Sequence, residues 1–278
     1  MKNGIKSEEN MKNNKVINIE NSHTELVLGF KNLKIGFTLA EVLITLGIIG
    51  IVAAMTIPTV IAKHKEKQNV SKLKKVYSTL SQAMTSIIHE YGTIDTWNLS
   101  KSYESSDDGQ VIVDDTSMVI LVNRLAEYVK HKRLEKNWGD NIVTTNMQNV
   151  PISNQIWPNA MILHDGTVLM IGQVNSNESC ARSDMSKGDY CSTIVVWFPD
   201  RTKKRIEGIN QFNFSIMKDR IIPWGAPNDV SHLFNTRCNI KNNVRESGRG
   251  CTAWVIFNEN MDYLHCDDLS WDGKKKCK

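Results

Sequence analysis

The sequence predicts an α+β protein, and a change in hydrophobic period along the chain carries that prediction. A long helical pattern comes first: it is apolar on every side over 37–62 and amphipathic over 63–92. From about residue 155 the pattern changes to alternating and β-branched runs, which are typical of antiparallel strands. All six cysteines lie from residue 180 onward. We therefore expect a long N-terminal helix, an antiparallel sheet and a disulfide-rich C-terminal region.

The composition is that of a folded protein. The chain has 278 residues, a formal net charge of +4 and 23% charged residues. This length suggests one or two domains, and the ordinary charged fraction excludes a wholly disordered chain. A net charge this small gives no reason to expect nucleic-acid binding.

The apolar run over 37–62 is the most distinctive segment of the first half. It contains 26 residues with one charge, Glu41. A helix of this length rises about 39 Å, which is enough to cross a hydrocarbon core of about 30 Å. The 36 residues before it are polar and carry six Lys and four Glu, unlike an ordinary signal peptide. Lysines flank both ends of the run, so the positive-inside rule gives no orientation from the flanks.

Glu41 needs an explanation because an ionised carboxylate near a bilayer centre costs a few kcal/mol. In one interpretation the side chain is shallow and reaches the interface. In the other it pairs with a free amine, on this chain or on a neighbour. The residues alone leave both open.

The string KIGFTLAEVLITLGIIGIVAAMTIPTVI, which begins at Lys34, resembles the N-terminus of type IV prepilins and type II secretion pseudopilins. In that family a membrane peptidase cuts after the glycine on the cytoplasmic side and N-methylates the new terminus. The resemblance implies cleavage between Gly36 and Phe37 and methylation of Phe37. It also implies that Glu41 pairs with the terminal amine of a neighbouring subunit during assembly.

The resemblance also implies a division of the chain and a pilin-like fold, in which the helix holds a globular head. The leader has 36 residues if translation starts at Met1 and 26 if it starts at Met11, and both starts stay open. The predicted parts are a removed leader over 1–36, a transmembrane and assembly helix over 37–62, an amphipathic helix over 63–92 that continues into the head, and an extracytoplasmic head over 93–278.

Local signals predict the remaining elements. Pro58 should kink the long helix, and Gly92 should end it. A polar, acidic loop over 93–116 should follow. The predicted elements of the head are a short helix over 117–131 with Ser117 as its cap, a hairpin over 160–172 around Asp165-Gly166, strands at 192–198, 211–216 and 220–222, and a segment at 251–257 that fits either a strand or a buried helix.

The cysteines contain no C-x-x-C pair, which disfavours a zinc site. An even number of cysteines beyond a membrane span indicates an oxidising compartment and three disulfides. Fifteen connectivities are possible. Short local loops favour Cys180–Cys191, Cys238–Cys251 and Cys266–Cys277.

No catalytic pattern is present: the chain has neither a G-x-S-x-G elbow nor an H-E-x-x-H helix. The basic triplet Lys203-Lys204-Arg205 fits a solvated turn better than a phosphate contact. We therefore predict a structural subunit of a type IV pilus-like filament or a type II secretion pseudopilus, of a minor or specialised kind, and not an enzyme. No cofactor or metal is expected.

The partners that follow from this prediction are prepilin peptidase, other pilin or pseudopilin subunits and inner-membrane lipid, whereas nucleic acid is disfavoured but not excluded. The chain should cross the inner membrane once with an extracytoplasmic head and then enter a filament. A membrane-anchored extracytoplasmic enzyme or binding domain with an ordinary signal anchor is the alternative. It leaves the Gly-Phe-Thr-Leu-x-Glu string unexplained.

Overall fold

A computed structural model describes most of the chain beyond the predicted leader. Of the leader only Gly36 lies within the described residues. The chain divides into two compact units, Met1–Val52 and Ala53–Lys278. The described residues are 36–99, 103–106, 109–112, 116–139, 142–153, 157–172, 180, 190–241 and 244–277, with only the backbone described for 103–106 and 109–112.

The elements follow one another along the chain as α1 (Leu39–Tyr91), β1 (Tyr103–Ser106), β2 (Gly109–Ile112), α2 (Thr116–Tyr128), β3 (His131–Trp138), β4 (Thr144–Thr145), β5 (Pro151–Ser153), β6 (Trp157–Leu163), β7 (Val168–Ile171), β8 (Tyr190–Trp197), β9 (Arg205–Ile206), β10 (Gln211–Met217), β11 (Ile221–Pro223), α3 (Phe234–Arg237) and α4 (Thr252–Asn258). The long N-terminal helix and the antiparallel head confirm the predicted α+β class.

Helix α1 starts in the first unit, where its side chains are exposed, and continues through the second. In the second unit one stripe of the helix is buried, from Asn69 to Ile87, at the predicted spacing of three and four residues. The helix ends at Tyr91, and Gly92 follows with a φ of 75°, which glycine adopts without steric cost. The predicted end of the helix is therefore confirmed.

The main sheet has six strands in the order β11-β10-β8-β7-β6-β3, and each pair of neighbouring strands is antiparallel. The buried stripe of α1 belongs to the same core as one face of this sheet, where Tyr77 stacks on Phe214 with centroids 6.0 Å apart. A smaller apolar cluster covers the opposite face and includes Met170 and Trp197. Burying each such side chain contributes about 1.5–3 kcal/mol, so packing against the sheet stabilises the amphipathic half of α1.

The C-terminal region closes over the core through three disulfides, Cys180–Cys191, Cys238–Cys251 and Cys266–Cys277. The disulfide-rich region is thus confirmed, and its pairing is the one that the local loops favoured. Helix α4 lies in the same region, with Trp254 stacked on Phe234 at 4.2 Å between centroids. This answers the open question at 251–257 in favour of a buried helix.

A buried polar cluster joins this region to the start of β10. The Glu207 carboxylate accepts hydrogen bonds from Asn213 Nδ2 at 2.7 Å and from Arg249 Nε at 3.4 Å. Burial raises the pKa of Glu207, and the Arg249 charge and the Asn213 bond oppose that shift only in part. Nearby, the Tyr263 hydroxyl donates to the Gly208 carbonyl at 2.6 Å.

Three predictions about the head need correction. The loop predicted over 93–116 was wrong at 103–106 and 109–112, where β1 and β2 pair. Strands begin before residue 155, because β3, β4 and β5 precede it. Helix α2 begins at Thr116, so Ser117 lies in its first turn and is buried rather than preceding the helix as a cap. The hairpin at 160–172 and the strands at 192–198, 211–216 and 220–222 are confirmed to within three residues.

Candidate functional site

The predicted cleavage point lies in exposed chain just before α1. Gly36 and Phe37 are not part of any helix or strand, and the Phe37 side chain is 86% exposed. A Cβ added to Gly36 would meet no atom of the described residues within 4 Å. Nothing in the packing of the described part of the chain therefore requires glycine at this position. A requirement for glycine would have to come from another protein that handles the segment.

Thr38 and Glu41 form a reciprocal capping box at the start of α1. The backbone N–H of Thr38 donates to Glu41 Oε2 at 2.8 Å, and the Thr38 hydroxyl donates to the same oxygen at 2.7 Å. In return the Glu41 N–H donates to Thr38 Oγ1 at 3.2 Å. The carboxylate thus has polar partners within its own chain. Sequence reasoning missed this arrangement, although Thr-x-x-Glu before an apolar run is its ordinary signal.

The capping box does not exclude a further partner for Glu41. Both bonds from Thr38 end on the same oxygen, and a carboxylate can accept from several donors. Cleavage between Gly36 and Phe37 would leave the Thr38 amide intact. The capping box can therefore persist in a processed chain while a terminal ammonium group approaches the carboxylate.

The helix that follows is apolar and exposed along its first six or seven turns. Its most apolar 18-residue window has a mean hydropathy of 2.2. The helix is therefore long and apolar enough to cross a membrane. The exposed large apolar residues include Leu43, Ile49 and Met55, each more than 60% accessible. So much exposed apolar surface on one helix requires lipid or other chains to cover it.

Pro58 lies inside α1 and has no N–H to donate to the carbonyl of Ala54. One turn of the helix is therefore held by fewer backbone hydrogen bonds at this point. The Thr59 hydroxyl donates to the Thr56 carbonyl at 2.8 Å, which adds a side-chain bond in the same turn. Helix α1 is continuous through Pro58, and the predicted kink stays a prediction.

The other candidate residues lie in the head and do not form a common site there. The basic triplet does not act as a unit, because Arg205 is fully buried and donates to the Ile142 carbonyl at 2.6 Å, whereas Lys203 and Lys204 are exposed. All six cysteines are in disulfides. Among the described residues, no three His, Cys, Asp or Glu side chains converge as a metal-ligand set.

Comparison with known families assigns the N-terminal segment. The prokaryotic N-terminal methylation motif matches residues 31–57, which include Gly36, Phe37 and Glu41. This motif makes the chain a type IV prepilin-like protein. It indicates a processed subunit of the pilin or pseudopilin type, and it implies processing by prepilin peptidase and assembly with other pilin subunits. The single apolar N-terminal helix is consistent with single-pass anchoring in the inner membrane.

A second match covers most of the remaining chain. The family of unknown function DUF6613 matches residues 59–221, which is more than half of the sequence, and the chain belongs to this family. No curated protein and no solved structure matches the chain.

Proposed function

We propose that this protein is a structural subunit of a type IV pilus-like filament or of a type II secretion pseudopilus. The peptidase cuts after Gly36 and N-methylates Phe37. The apolar half of α1 holds the subunit in the inner membrane, with the head on the extracytoplasmic side, until the helix packs into a filament. The work of the protein is assembly and not catalysis.

The observation that carries the proposal is the arrangement of 36–41 at the head of an exposed apolar helix. An accessible glycine, a capped first turn and a carboxylate follow one another within the segment that the methylation motif matches. The packing of the described residues does not require glycine at position 36. This supports a role for Gly36 in recognition by the peptidase. The disulfides support an oxidising compartment for the head.

Cleavage would create the partner that Glu41 is expected to meet. An α-amino group has a pKa of about 7.7–8.0, so the new terminus is mostly charged at neutral pH. An ammonium and a carboxylate attract strongly where water is scarce, and pairing removes the cost of leaving either charge alone in lipid. In this proposal the Glu41 carboxylate accepts from the terminal amine of a neighbouring subunit and fixes the axial register between the two helices.

The size of the processed chain favours a minor or specialised subunit. Removal of the leader would leave 242 residues, a larger chain than many filament-forming subunits. The head also carries three disulfides, which suits a mechanically exposed position. These features bear on the role in the filament and leave the choice between pilus and pseudopilus to experiment.

The decisive experiment is N-terminal mass spectrometry of the full chain extracted from membranes, with and without a co-expressed prepilin peptidase. We expect a chain that begins at N-methylated Phe37 only when the peptidase is present. Gly36→Leu is the matched variant, and it should keep the intact leader under both conditions. A wild-type terminus that the peptidase leaves intact, or a cut beyond Ala62, would contradict the proposal and favour an ordinary anchored domain.

A further inference from the structure

The turn between β8 and β9 packs against α1 shortly after the apolar run of the helix ends. Lys65 of the helix forms an ion pair with Asp200 of the turn, and Lys72 lies 5.7 Å from the ring centre of Phe198. One turn further along, Asn69 Nδ2 donates to the Ile209 carbonyl at 2.9 Å. The contacts of Lys65 and Lys72 fix the turn at the level of residues 65–72 of the helix, and the Asn69 bond holds the following β9–β10 turn beside it.

The end of this level nearest the apolar run coincides with the headgroup region of a membrane that contains the run. The uncharged stretch 42–62 has 21 residues, and a helix of 21 residues rises about 32 Å, close to the thickness of the hydrocarbon core. Lys65 is three residues past its end, or about 4.5 Å along the axis. Each headgroup layer is about 5–7 Å thick, so the Lys65–Asp200 end of the turn falls within it.

The surface at this level is strongly basic. Seven basic residues and two acidic ones, Glu66 and Asp200, come from residues 63–72 of α1 and from the turn. We call this surface the basic collar. Its basic members are Lys63, Lys65, Lys67, Lys72, Arg201, Lys203 and Lys204.

The turn is held rigidly, so its lysines are presented in a fixed place. The Lys204 carbonyl accepts from Asn210 Nδ2 at 2.9 Å and from Trp197 Nε1 at 3.3 Å. Asp200 Oδ1 accepts from the Thr202 N–H at 2.9 Å. Burial raises the pKa of Asp200, but the hydrogen bonds from Lys65 and Thr202 outweigh burial, and the pKa is lowered overall. The Asp200 carboxylate therefore stays ionised at neutral pH and keeps its ion pair with Lys65. The backbone of the turn is therefore preorganised while Arg201, Lys203 and Lys204 stay exposed.

We propose that the basic collar binds the phosphates of anionic phospholipids and seats the head on the outer leaflet before the subunit leaves the membrane. Charge complementarity and depth both favour this partner, because the bilayer brings phosphates to the level of the collar as soon as the helix inserts. A cavity of about 270 Å³ between the helix and the turn, lined by residues that include His64, Lys65 and Gln68, offers space for a headgroup. The proposal rests on membrane insertion of α1 and is independent of filament assembly.

The test uses the full chain in nanodiscs of phosphatidylcholine, alone or mixed with phosphatidylglycerol. Acylation of individual lysines is followed by mass spectrometry. We expect Lys203 and Lys204 to react about fivefold more slowly in the anionic discs, the factor that corresponds to about 1 kcal/mol for a lysine at an anionic surface. High salt should remove this protection. Lys218, at the opposite end of β10, should react equally in both discs.

Charge reversal separates lipid binding from general repulsion. The double variant K203E/K204E should lose the enrichment of phosphatidylglycerol that native mass spectrometry detects around the wild-type chain. The matched double variant K218E/R220E reverses two charges in the turn between β10 and β11, outside the basic collar, and should keep the enrichment.

Three results would overturn the proposal. The first is equal lysine reactivity in neutral and anionic discs. The second is protection by a DNA duplex but not by anionic lipid, which would assign the collar to nucleic acid. The third is failure of the chain to insert, which would also contradict membrane anchoring. Loss of cleavage or of filaments with the lysine protection intact would contradict the proposed function alone.

Discussion

Thr38 and Glu41 bond to each other reciprocally at the start of α1, with the Thr38 N–H and hydroxyl at 2.8 and 2.7 Å from Glu41 Oε2. Glu41 can therefore contribute in two ways. It completes the first turn of the helix, and under the proposed function it neutralises the ammonium group of a neighbouring subunit. Glutamine can fill the same place in a capping box but carries no charge, so it separates the two contributions.

The first prediction uses that separation. Glu41→Gln should insert in the membrane and be cleaved like the wild type, but it should yield at least about tenfold fewer filaments, since loss of an ion pair in lipid removes more than about 1.4 kcal/mol. Glu41→Val, which removes the cap as well, should also be inserted and cleaved but fail to assemble. Electron microscopy of sheared cells counts the filaments. Normal filaments from Glu41→Gln would show that capping alone explains this residue.

The second prediction concerns Gly36, where an added Cβ meets no atom of the described residues within 4 Å. Gly36→Leu should therefore leave insertion and the fold unchanged and should block only the cut by the peptidase. Gly36→Ala is the control, because a methyl group is small enough for partial processing. The cleaved fraction is read from the mass of the extracted chain. Equal cleavage of the leucine variant would show that the peptidase does not read this position.

The third prediction compares two glycines that share a left-handed backbone but differ in the space around them. Gly166 has a φ of +84° and open surroundings, whereas Gly225, at +88°, would place a Cβ 1.8 Å from the Gly250 carbonyl oxygen. Gly166→Ala should cost only the backbone strain, about 1–2 kcal/mol. Gly225→Ala must also displace the backbone beside the Cys238–Cys251 disulfide, so we expect a loss of more than about 4 kcal/mol or no folded head.

Urea unfolding of the full chain in detergent, with the disulfides oxidised, measures both costs. Tryptophan fluorescence is a suitable signal because Trp224 and Trp254 are buried in the affected region. Similar losses for the two variants would mean that the close approach of Gly225 to Gly250 relaxes without cost.

The fourth prediction follows from the raised pKa of Glu207. Between the unfolded pKa of about 4.3 and the higher native pKa, the native state keeps a proton that the unfolded state has lost. Wild-type stability should therefore fall at this site as pH rises through that window, by up to about 1.4 kcal/mol per pH unit. Glu207→Gln removes the titration and can still accept from Asn213.

The stability of Glu207→Gln relative to the wild type should thus increase from pH 4 to pH 7. The comparison of two chains at each pH cancels the contributions of all other titrating groups. A difference that stays constant with pH would show that Arg249 and Asn213 compensate fully for the burial of the carboxylate.

The sequence was sufficient for elements whose signals are local. The stripe of α1 repeats over several turns, and the hairpin at Asp165-Gly166 combines a turn dipeptide with two apolar runs, so both could be predicted. The methylation motif is equally local, because its match lies within residues 31–57. The nearest-neighbour disulfides belong to the same class.

The missed features depend on tertiary contacts. Strand β3 reads HKRLEKNW, which shows no apolar alternation, and its strand form comes from pairing with β6 along its length. Helix α4 is buried on nearly every side, so no period distinguishes it from a strand. Arg205 looked like part of an exposed basic triplet, and only the fold shows that its guanidinium is buried beside Ile142.

The last prediction compares two disulfides that close loops of similar length in different surroundings. Cys238 and Cys251 are 2% and 0% exposed, with a sequence separation of 13 residues. Cys266 and Cys277 are half-buried, with a separation of 11. In the chain-entropy model each loop contributes about 3 kcal/mol. Because the two loops contribute about equally, a difference in stability between the two disulfide variants must come from packing in the native state.

We expect the double variant C238A/C251A to lose about 1–2 kcal/mol more stability than C266A/C277A, because it also leaves a cavity in the core. In the folded wild-type chain, mild reductant should open Cys266–Cys277 first, since its sulfurs are the more accessible. Urea unfolding and alkylation with mass spectrometry measure the two effects separately. Equal losses together with simultaneous reduction would show that neither bridge is protected by the core, and that the C-terminal region opens as one unit.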